Sequence, residues 1–198
     1  MRRNEYEITD ESELARLLRD ASYGVIAFNG EFPYITPVNF VYEPSALIFH
    51  GAASGRKYEI AAKNPRAAFS VVKEYAIIPS YFRSELACAA SAFFISAFLE
   101  GHIAIVNDLD RKKEALKSLM KKYQSEGGFE SFDNTRKYAA AIEKTAVFEF
   151  QISSWTLKSK MGQKLDAATL KKLIENLQKR GAQIDIETIE MIKKFANF

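Results

Sequence analysis

Cysteine and histidine are scarce in this chain. Its 198 residues include one cysteine, Cys88, and two histidines, His50 and His102. One cysteine cannot form a disulfide within the chain, and so few potential ligands do not supply the usual set for a transition-metal site. We therefore expect a protein of the reducing cytoplasm without a metal centre.

Long apolar segments are absent as well. The longest stretch without a charged residue, Leu86 to Leu99, is too short to cross a bilayer, which takes about 20 apolar residues. The segment from Met1 to Asp20 is charged throughout and lacks the apolar core of a secretory signal. The net charge is only +3, and arginine-rich blocks interleaved with aromatic residues are missing. We expect no membrane span, no export and no nucleic-acid partner.

Alternation of apolar and polar residues predicts that strands dominate the chain. Tyr23 to Gly30 and Pro33 to Tyr42 are predicted to form a hairpin, and Pro37, which has no N–H group, places its strand at an edge or a bulge. Lys73 to Glu85 shows no sustained period and is predicted to be a long surface loop. Further strands are predicted at Ser45–His50, Arg66–Val72, Ala92–Val106 (with Gly101 as a bulge or bend) and Thr145–Ser153.

Helical spacing is confined to a few segments. It predicts a helix from about Leu109 to Tyr123 and two more helices beyond Lys158. Because strands and helices do not alternate regularly, the pattern predicts a mainly β fold, a small antiparallel barrel with helices. We expect a barrel domain over residues 1–160 and a helical pair over residues 161–198 that packs on the barrel or on a partner subunit. The ends of that pair are predicted from Asp166 (first cap), Gly181 (first stop) and Asp185 (second cap).

The stretch FHGAASGRKYEIAAKNP, Phe49 to Pro65, contains a glycine-rich turn that leads into a basic helix. The N–H groups and the dipole at a helix start favour an anion, and Arg56 and Lys57 add two cations there. The glycine spacing fits neither a P-loop nor a dinucleotide-binding fingerprint. The residues therefore indicate either a cradle for one terminal phosphate or an ordinary exposed helix start. His50 beside it could be an acid or base, or a structural residue.

Ordered blocks of the sequence resemble the FMN-binding split-barrel superfamily of pyridoxamine 5′-phosphate oxidase-like proteins, and within it the nitroimidazole-resistance branch. The blocks are PYITPVNFVY, ALIFHGAASGRKYEIAAKNPRAAFSVV, LACAASAFFISAFLEGHIAIV and TAVFEFQISSWTLKSK. The resemblance implies a six-stranded antiparallel split β-barrel with a C-terminal helical extension. It also implies a homodimer that binds FMN noncovalently at the subunit interface.

The same resemblance implies which residues contact FMN. The pair that holds its phosphate is Arg56 and Lys57. The residues along its isoalloxazine ring are Thr36, Pro37, Val38, Asn39 and Phe40. The residues beside the ribityl chain or the ring are His50, which is also the candidate catalytic residue, and Gly51. The strand residue that offers a polar group is Ser96.

For activity, the resemblance implies an oxidoreductase that passes electrons from NAD(P)H through FMN to a small acceptor such as a nitro compound. In such an enzyme the cofactor carries the chemistry, which agrees with the lack of any triad of catalytic side chains in the sequence. Two alternatives stay open. One is a sensor or storage protein that binds FMN or haem without turnover, and the other is a haem-degrading split-barrel protein.

Overall fold

The structure is a computed structural model that describes residues 4–132 and 135–196. Residues 1–3, 133, 134, 197 and 198, which belong to the predicted domains, lie outside the described residues. The chain divides into two compact units. The first unit comprises Met1–Glu13, Val72–Ala97 and Thr156–Phe198, and the second unit comprises Leu14–Val71 and Phe98–Trp155.

A mainly antiparallel sheet is the largest element of the fold. Hydrogen bonds join its strands in the order β3-β2-β6-β7-β8-β5-β4, and β1 pairs with β8. This confirms the predicted β-rich fold with helices. In the described part of the chain the sheet has eight strands rather than six, because it includes two short ones. The strands are β1 (Glu7–Ile8), β2 (Tyr23–Phe28), β3 (Tyr34–Asn39), β4 (Val41–Glu43), β5 (Ala46–Ala52), β6 (Arg66–Ile78), β7 (Ser91–Val106) and β8 (Thr145–Lys160).

Helices connect and flank these strands. None of the helices in the described ranges is both long enough and apolar enough to span a bilayer. The helix predicted near the middle of the chain is confirmed as α3, and the predicted C-terminal pair is confirmed as α5 and α6. The helices are α1 (Glu11–Asp20), α2 (Arg56–Lys63), α3 (Leu109–Tyr123), α4 (Thr135–Glu143), α5 (Ala167–Arg180) and α6 (Gln183–Phe195).

The predicted hairpin in the second unit is confirmed by β2 and β3, which pair antiparallel with Val25 opposite Pro37. Strand β3 stands at one end of the strand order, so Pro37 lies on an edge strand, where a missing N–H group is tolerated. The single strand predicted from Pro33 to Tyr42 is wrong, however. The chain leaves β2 at Phe40, and β4 then pairs with β5 instead.

The core of the second unit forms where α3 packs on β5. Ile48 of β5, Ala115 of α3 and Val147 of β8 are buried in one cluster. At its edge, the Arg111 guanidinium of α3 donates to Glu149 Oε1 at 2.6 Å, and it also donates to Glu43 Oε2 at 2.7 Å. These bonds join α3 to β8 and β4, and the hydrogen bond to Glu43 is the main reason that the pKa of Arg111 is raised.

Gly101 is predicted from the sequence to form a bulge or bend, and the structure gives a different reason for a glycine there. It lies within β7, and a Cβ atom at this position would stand 2.0 Å from the carbonyl oxygen of Gln151 on β8. Real Cβ atoms do not approach an oxygen so closely. The glycine is therefore required by the close approach of the β8 backbone.

In the first unit, the loop predicted from Lys73 to Glu85 is wrong in its first half. Residues up to Ile78 continue β6, and the chain turns only afterwards. Partners on α6 hold this extension: Lys73 Nζ lies 3.1 Å from Glu187 Oε2, and the Ala76 N–H donates to Thr188 Oγ1 at 3.0 Å. The strand is thus stabilised by residues that are distant in the sequence.

The ends of the C-terminal helices follow the prediction with one correction. The Asp166 carboxylate accepts the Thr169 N–H at 2.8 Å, and Gly181 ends α5 in the left-handed region at φ 66°. Asp185 does not precede α6 but lies in its first turn. Its buried carboxylate accepts the Ala182 N–H at 3.0 Å and the Arg180 Nε–H at 2.9 Å.

This buried carboxylate gives a pH-dependent stability. The hydrogen bond from Arg180 holds the pKa of Asp185 below its ordinary value of 3.8, so its stabilisation is present above that value and is lost as the pH falls through the lowered pKa. We expect Asp185→Asn to lower the free energy of unfolding by about 2 kcal/mol at neutral pH. Urea unfolding at pH 7 and pH 3 checks this, because the difference in the free energy of unfolding between the variant and the unmodified protein should be smaller at pH 3.

The matched control is Asp166→Asn, which keeps an N-cap acceptor on the exposed start of α5 and should leave the urea midpoint nearly unchanged. Equal midpoints for Asp185→Asn and the unmodified protein at pH 7 would show that the Arg180 pair does not stabilise the helices.

Candidate functional site

One open cleft of the second unit gathers residues that the sequence indicated. Its volume is about 510 Å³, which lies in the usual range for small-molecule sites. Strands β2, β3 and β5 and the first turn of α2 supply its walls. The lining residues are Tyr23, Pro37, Val38, Asn39, His50 and Lys57.

Lys57 places a half-buried cation in this cleft. Its Nζ donates to the His50 carbonyl at 3.5 Å and lies 5.9 and 5.8 Å from the ring centroids of Phe49 and Phe148. Burial lowers the pKa of Lys57 from its ordinary value. Within residues 4–132 and 135–196, no acidic side chain forms an ion pair with it. The ammonium group therefore has unused capacity for an anion.

Gly51 gives the Lys57 side chain its path into the cleft. A Cβ atom at position 51 would stand 2.6 Å from both Cε and Nζ of Lys57. Any larger residue would displace the ammonium group. The glycine of the sequence motif thus has a geometric role beside the cation.

Arg56 and Lys57 both lie at the start of α2 but face different spaces. Gly55 enters the helix at φ 89° and has no side chain to cap it, and the first N–H groups of an α-helix have no partner within the helix. The Arg56 guanidinium carbon lies 4.9 Å from the Tyr34 ring centroid. The Arg56 residue lines a second cavity, of about 610 Å³. Consecutive helical residues point about 100° apart, which accounts for the divergence. That both cations hold one phosphate stays a prediction.

His50 lies near the end of β5, opposite Val147 of β8, and remains exposed. Neighbouring protein atoms nevertheless remove water from the ring. This burial, and secondarily the charge of Lys57, lower the pKa of His50 below its ordinary value of 6.5. The imidazole is therefore mainly neutral at pH 7 and can both donate and accept a hydrogen bond.

The remaining predicted site residues are placed less directly. Thr36 is half-buried on β3, and its hydroxyl donates to the Pro37 carbonyl at 3.3 Å. The Phe40 side chain is fully buried, with its ring 5.3 Å from that of Phe69, so it belongs to the core and does not line the cleft. Ser96 lies half-buried on β7 in the first unit. Its contact with a flavin stays a prediction.

Comparison with known proteins identifies the family. Residues 10–159 match the family model described as pyridoxamine 5′-phosphate oxidase. The chain belongs to this family. The match includes the whole of the cleft and of α2, and it confirms the resemblance drawn from the sequence blocks. No curated protein matches the chain.

Several solved structures share the fold. An FAD- and haem-binding protein from Mycobacterium smegmatis has a TM-score of 0.66 and 22% identity, over 89% of this chain and 80% of that one. A candidate 5-nitroimidazole antibiotic resistance protein from Bacteroides thetaiotaomicron has a TM-score of 0.64 and 21% identity, over 77% of this chain and 85% of that one. The flavocytochrome Anf3 from Azotobacter vinelandii has a TM-score of 0.61 and 18% identity, over 78% of this chain and 69% of that one. Identities this low show a common fold alone.

Tyr23 is the cleft residue that sequence reasoning missed. It lies at the start of β2, directly opposite Asn39 in the hairpin register. The predicted hairpin contained the necessary signal, because a residue paired with the predicted ring segment on a neighbouring strand must lie beside it. The sequence blocks that carry the resemblance begin at Pro33, after the first hairpin strand, and therefore did not indicate Tyr23.

Proposed function

We propose that this protein is a cytoplasmic, homodimeric flavoprotein that binds FMN in the cleft beside α2. We further propose that it passes electrons from NAD(P)H to a small acceptor such as a nitro compound. The observation that carries the proposal is Lys57, a half-buried cation without an acidic partner in the described ranges, at the uncapped start of a helix.

The residues of the cleft fit a ligand with one phosphate and a planar ring. Lys57 and the first N–H groups of α2 suit a terminal phosphate, because anions are stabilised at helix N-termini. Pro37 to Asn39 lie on the edge strand β3. One side of the β3 backbone has no strand partner among residues 4–132 and 135–196. A ring lying along that edge would meet backbone groups and the exposed phenol of Tyr23.

The protein's own contribution to the reaction would be binding and orientation. Bound flavin supplies two-electron acceptance from a nicotinamide and electron donation to the acceptor. Lys57 holds a negative phosphate, and the β3 edge orients the ring. His50, mainly neutral at pH 7, offers one N–H donor and one acceptor nitrogen in the same cleft.

Exposed apolar side chains of the second unit support the proposed homodimer. Tyr23, Phe32 and Ile35 have exposed fractions of 62%, 72% and 63%, and they lie on or beside the β2–β3 hairpin. Large apolar side chains that are exposed along one hairpin are typical of an interface between proteins. Analytical ultracentrifugation should give the mass of two chains, and a single-chain mass at micromolar concentration would refute the dimer.

Haem binding without turnover is a second candidate, supported by His50. A neutral imidazole in an open cleft is a suitable axial ligand for haem iron. The Mycobacterium smegmatis neighbour is described as binding both FAD and haem. A sharp haem absorption band on titration that is lost in His50→Ala would favour this candidate, and loss of the bound haem under reductant would favour a haem-degrading activity.

Electron transfer is tested with the flavin-loaded protein under anaerobic conditions. NADH or NADPH should bleach the flavin band near its visible maximum, and a nitroaromatic acceptor should restore it within seconds. Bleaching by dithionite but by neither nicotinamide would refute the oxidoreductase proposal and leave a flavin-binding protein without this activity.

A further inference from the structure

The chain changes its strand partner at Phe40. Residues before it belong to β3 and pair with β2, whereas residues after it belong to β4 and pair with β5. Phe40 itself is fully buried and lies in neither strand. Buried backbone N–H and C=O groups need hydrogen-bond partners, so those of Phe40 must find them outside the strand pairs.

The last turn of α3 supplies these partners through two side chains. The Phe40 N–H donates to the Tyr123 hydroxyl at 3.0 Å. The Phe40 carbonyl accepts from Lys122 Nζ at 3.0 Å and lies 2.9 Å from the Tyr123 hydroxyl. Lys122 Nζ also lies 4.5 Å from the Phe40 ring centroid. Side chains thus take the place of a strand partner at the break.

Lys122 fixes a second piece of backbone at the same time. Its Nζ donates to the carbonyls of Ala21 at 2.7 Å and Leu18 at 3.4 Å, where α1 ends. Carbonyls at a helix end have no partner within the helix, and a lysine is a suitable donor to them. One ammonium group therefore ties the end of α1 to the break between β3 and β4.

The same bonds reach the cleft through Ser22. Its carbonyl accepts from the Tyr123 hydroxyl and from Asn39 Nδ2, the latter at 3.0 Å. Asn39 lines the cleft and directly precedes Phe40. The hydroxyl has one proton, so it donates to the Ser22 or the Phe40 carbonyl while accepting the Phe40 N–H. The position of Asn39 is thus set by the backbone on one side and by the Ser22 carbonyl on the other.

We propose that Lys122 and Tyr123 are positioning residues for the flavin cleft, which hold the Pro37–Asn39 edge in place through Phe40 and Ser22. This proposal rests on the proposed function, because it assumes that flavin is the ligand of the cleft. Neither residue lines the cleft, and both act through the backbone. Loss of either side chain should therefore weaken binding of the flavin ring, which FMN and riboflavin share, and should leave binding of the phosphate unchanged.

The test uses Tyr123→Phe and Lys122→Met in the full chain, with two measurements. In the flavin-free protein, hydrogen exchange of the Phe40 amide should accelerate about tenfold in Tyr123→Phe, because its acceptor is gone. In titrations, each variant should raise the Kd for FMN and the Kd for riboflavin by the same factor, roughly five- to tenfold. A role in stability alone would lower the melting temperature but leave the affinity of the folded protein unchanged.

Matched controls lie on the same and a neighbouring helix. Lys121→Met removes an equal charge from an exposed neighbour, and Tyr138→Phe removes a hydroxyl that donates to the Glu130 carbonyl at 2.7 Å. Neither control should change the hydrogen-exchange rate of the Phe40 amide or the affinity for either flavin. Unchanged exchange at Phe40 in Tyr123→Phe, or unchanged affinity for both flavins, would overturn the positioning role. If the unmodified protein binds no flavin, the proposed function fails, while the exchange measurement still shows whether the residues fix the β3 edge.

Discussion

Gly101→Ala is expected to lower the free energy of unfolding by about 3 kcal/mol or more, a large loss for the addition of a single methyl group. The new Cβ would stand 2.0 Å from the Gln151 carbonyl oxygen, which is backbone and cannot rotate away. Either β7 or β8 must shift, and both are central strands of the sheet. Urea unfolding followed by circular dichroism measures the loss, and the yield of folded soluble protein reports it if the variant does not fold.

Gly30→Ala is the matched control. Its Cβ would meet the Phe32 carbonyl oxygen at 3.4 Å, an ordinary contact, and its backbone does not lie in the left-handed region. We expect a change within roughly 0.5 kcal/mol. A Gly101→Ala variant as stable as Gly30→Ala would mean that the β7 and β8 backbones are farther apart at this position than in the structure.

Lys57→Met is expected to raise the Kd for FMN roughly 50-fold and to change the Kd for riboflavin less than about threefold. A hydrogen bond between charged groups is worth about 1.5–3 kcal/mol, and only FMN carries the phosphate that Lys57 would bind. Methionine keeps an unbranched apolar stem of similar length beside the stacked Phe49 and Phe148 rings. Quenching of flavin fluorescence in parallel titrations gives both constants.

Lys63→Met controls for the loss of charge, because Lys63 is exposed at the other end of α2. It should leave both constants nearly unchanged. If Lys57→Met weakened the affinity for FMN and for riboflavin equally, the cation would not hold the phosphate. That pattern is the one expected for Lys122 and Tyr123, so the two groups of variants separate the phosphate end of the cleft from its ring end.

The sequence predicted the elements whose patterns are local. The β2–β3 hairpin alternates regularly, and the ends of α5 follow from Asp166 and Gly181, which act within their own turns. It failed where distant residues decide the structure. Lys73 to Ile78 has two consecutive buried residues and therefore no period of two, and its extension depends on Thr188 of α6. No local pattern reveals such a partner.

The candidate site shows the same division. The resemblance implies that Pro37, Asn39, His50 and Lys57 share one FMN site, and the structure places these four residues on one cleft. That they contact FMN stays a prediction. It did not show that the chain breaks at Phe40, because the partners of that backbone come from α3, 83 residues away. Nor did it show that Arg56 faces a second cavity, which depends on the orientation of α2.

Titration of the purified, flavin-free protein with FMN and riboflavin tests the central proposal most directly. Flavin binding at the helix start predicts that FMN quenches with a Kd roughly 20- to 50-fold lower than that of riboflavin, because the phosphate adds a charged contact. The difference should disappear in Lys57→Met. Absence of quenching by either flavin, or equal constants for both in the unmodified protein, would contradict an FMN site in this cleft.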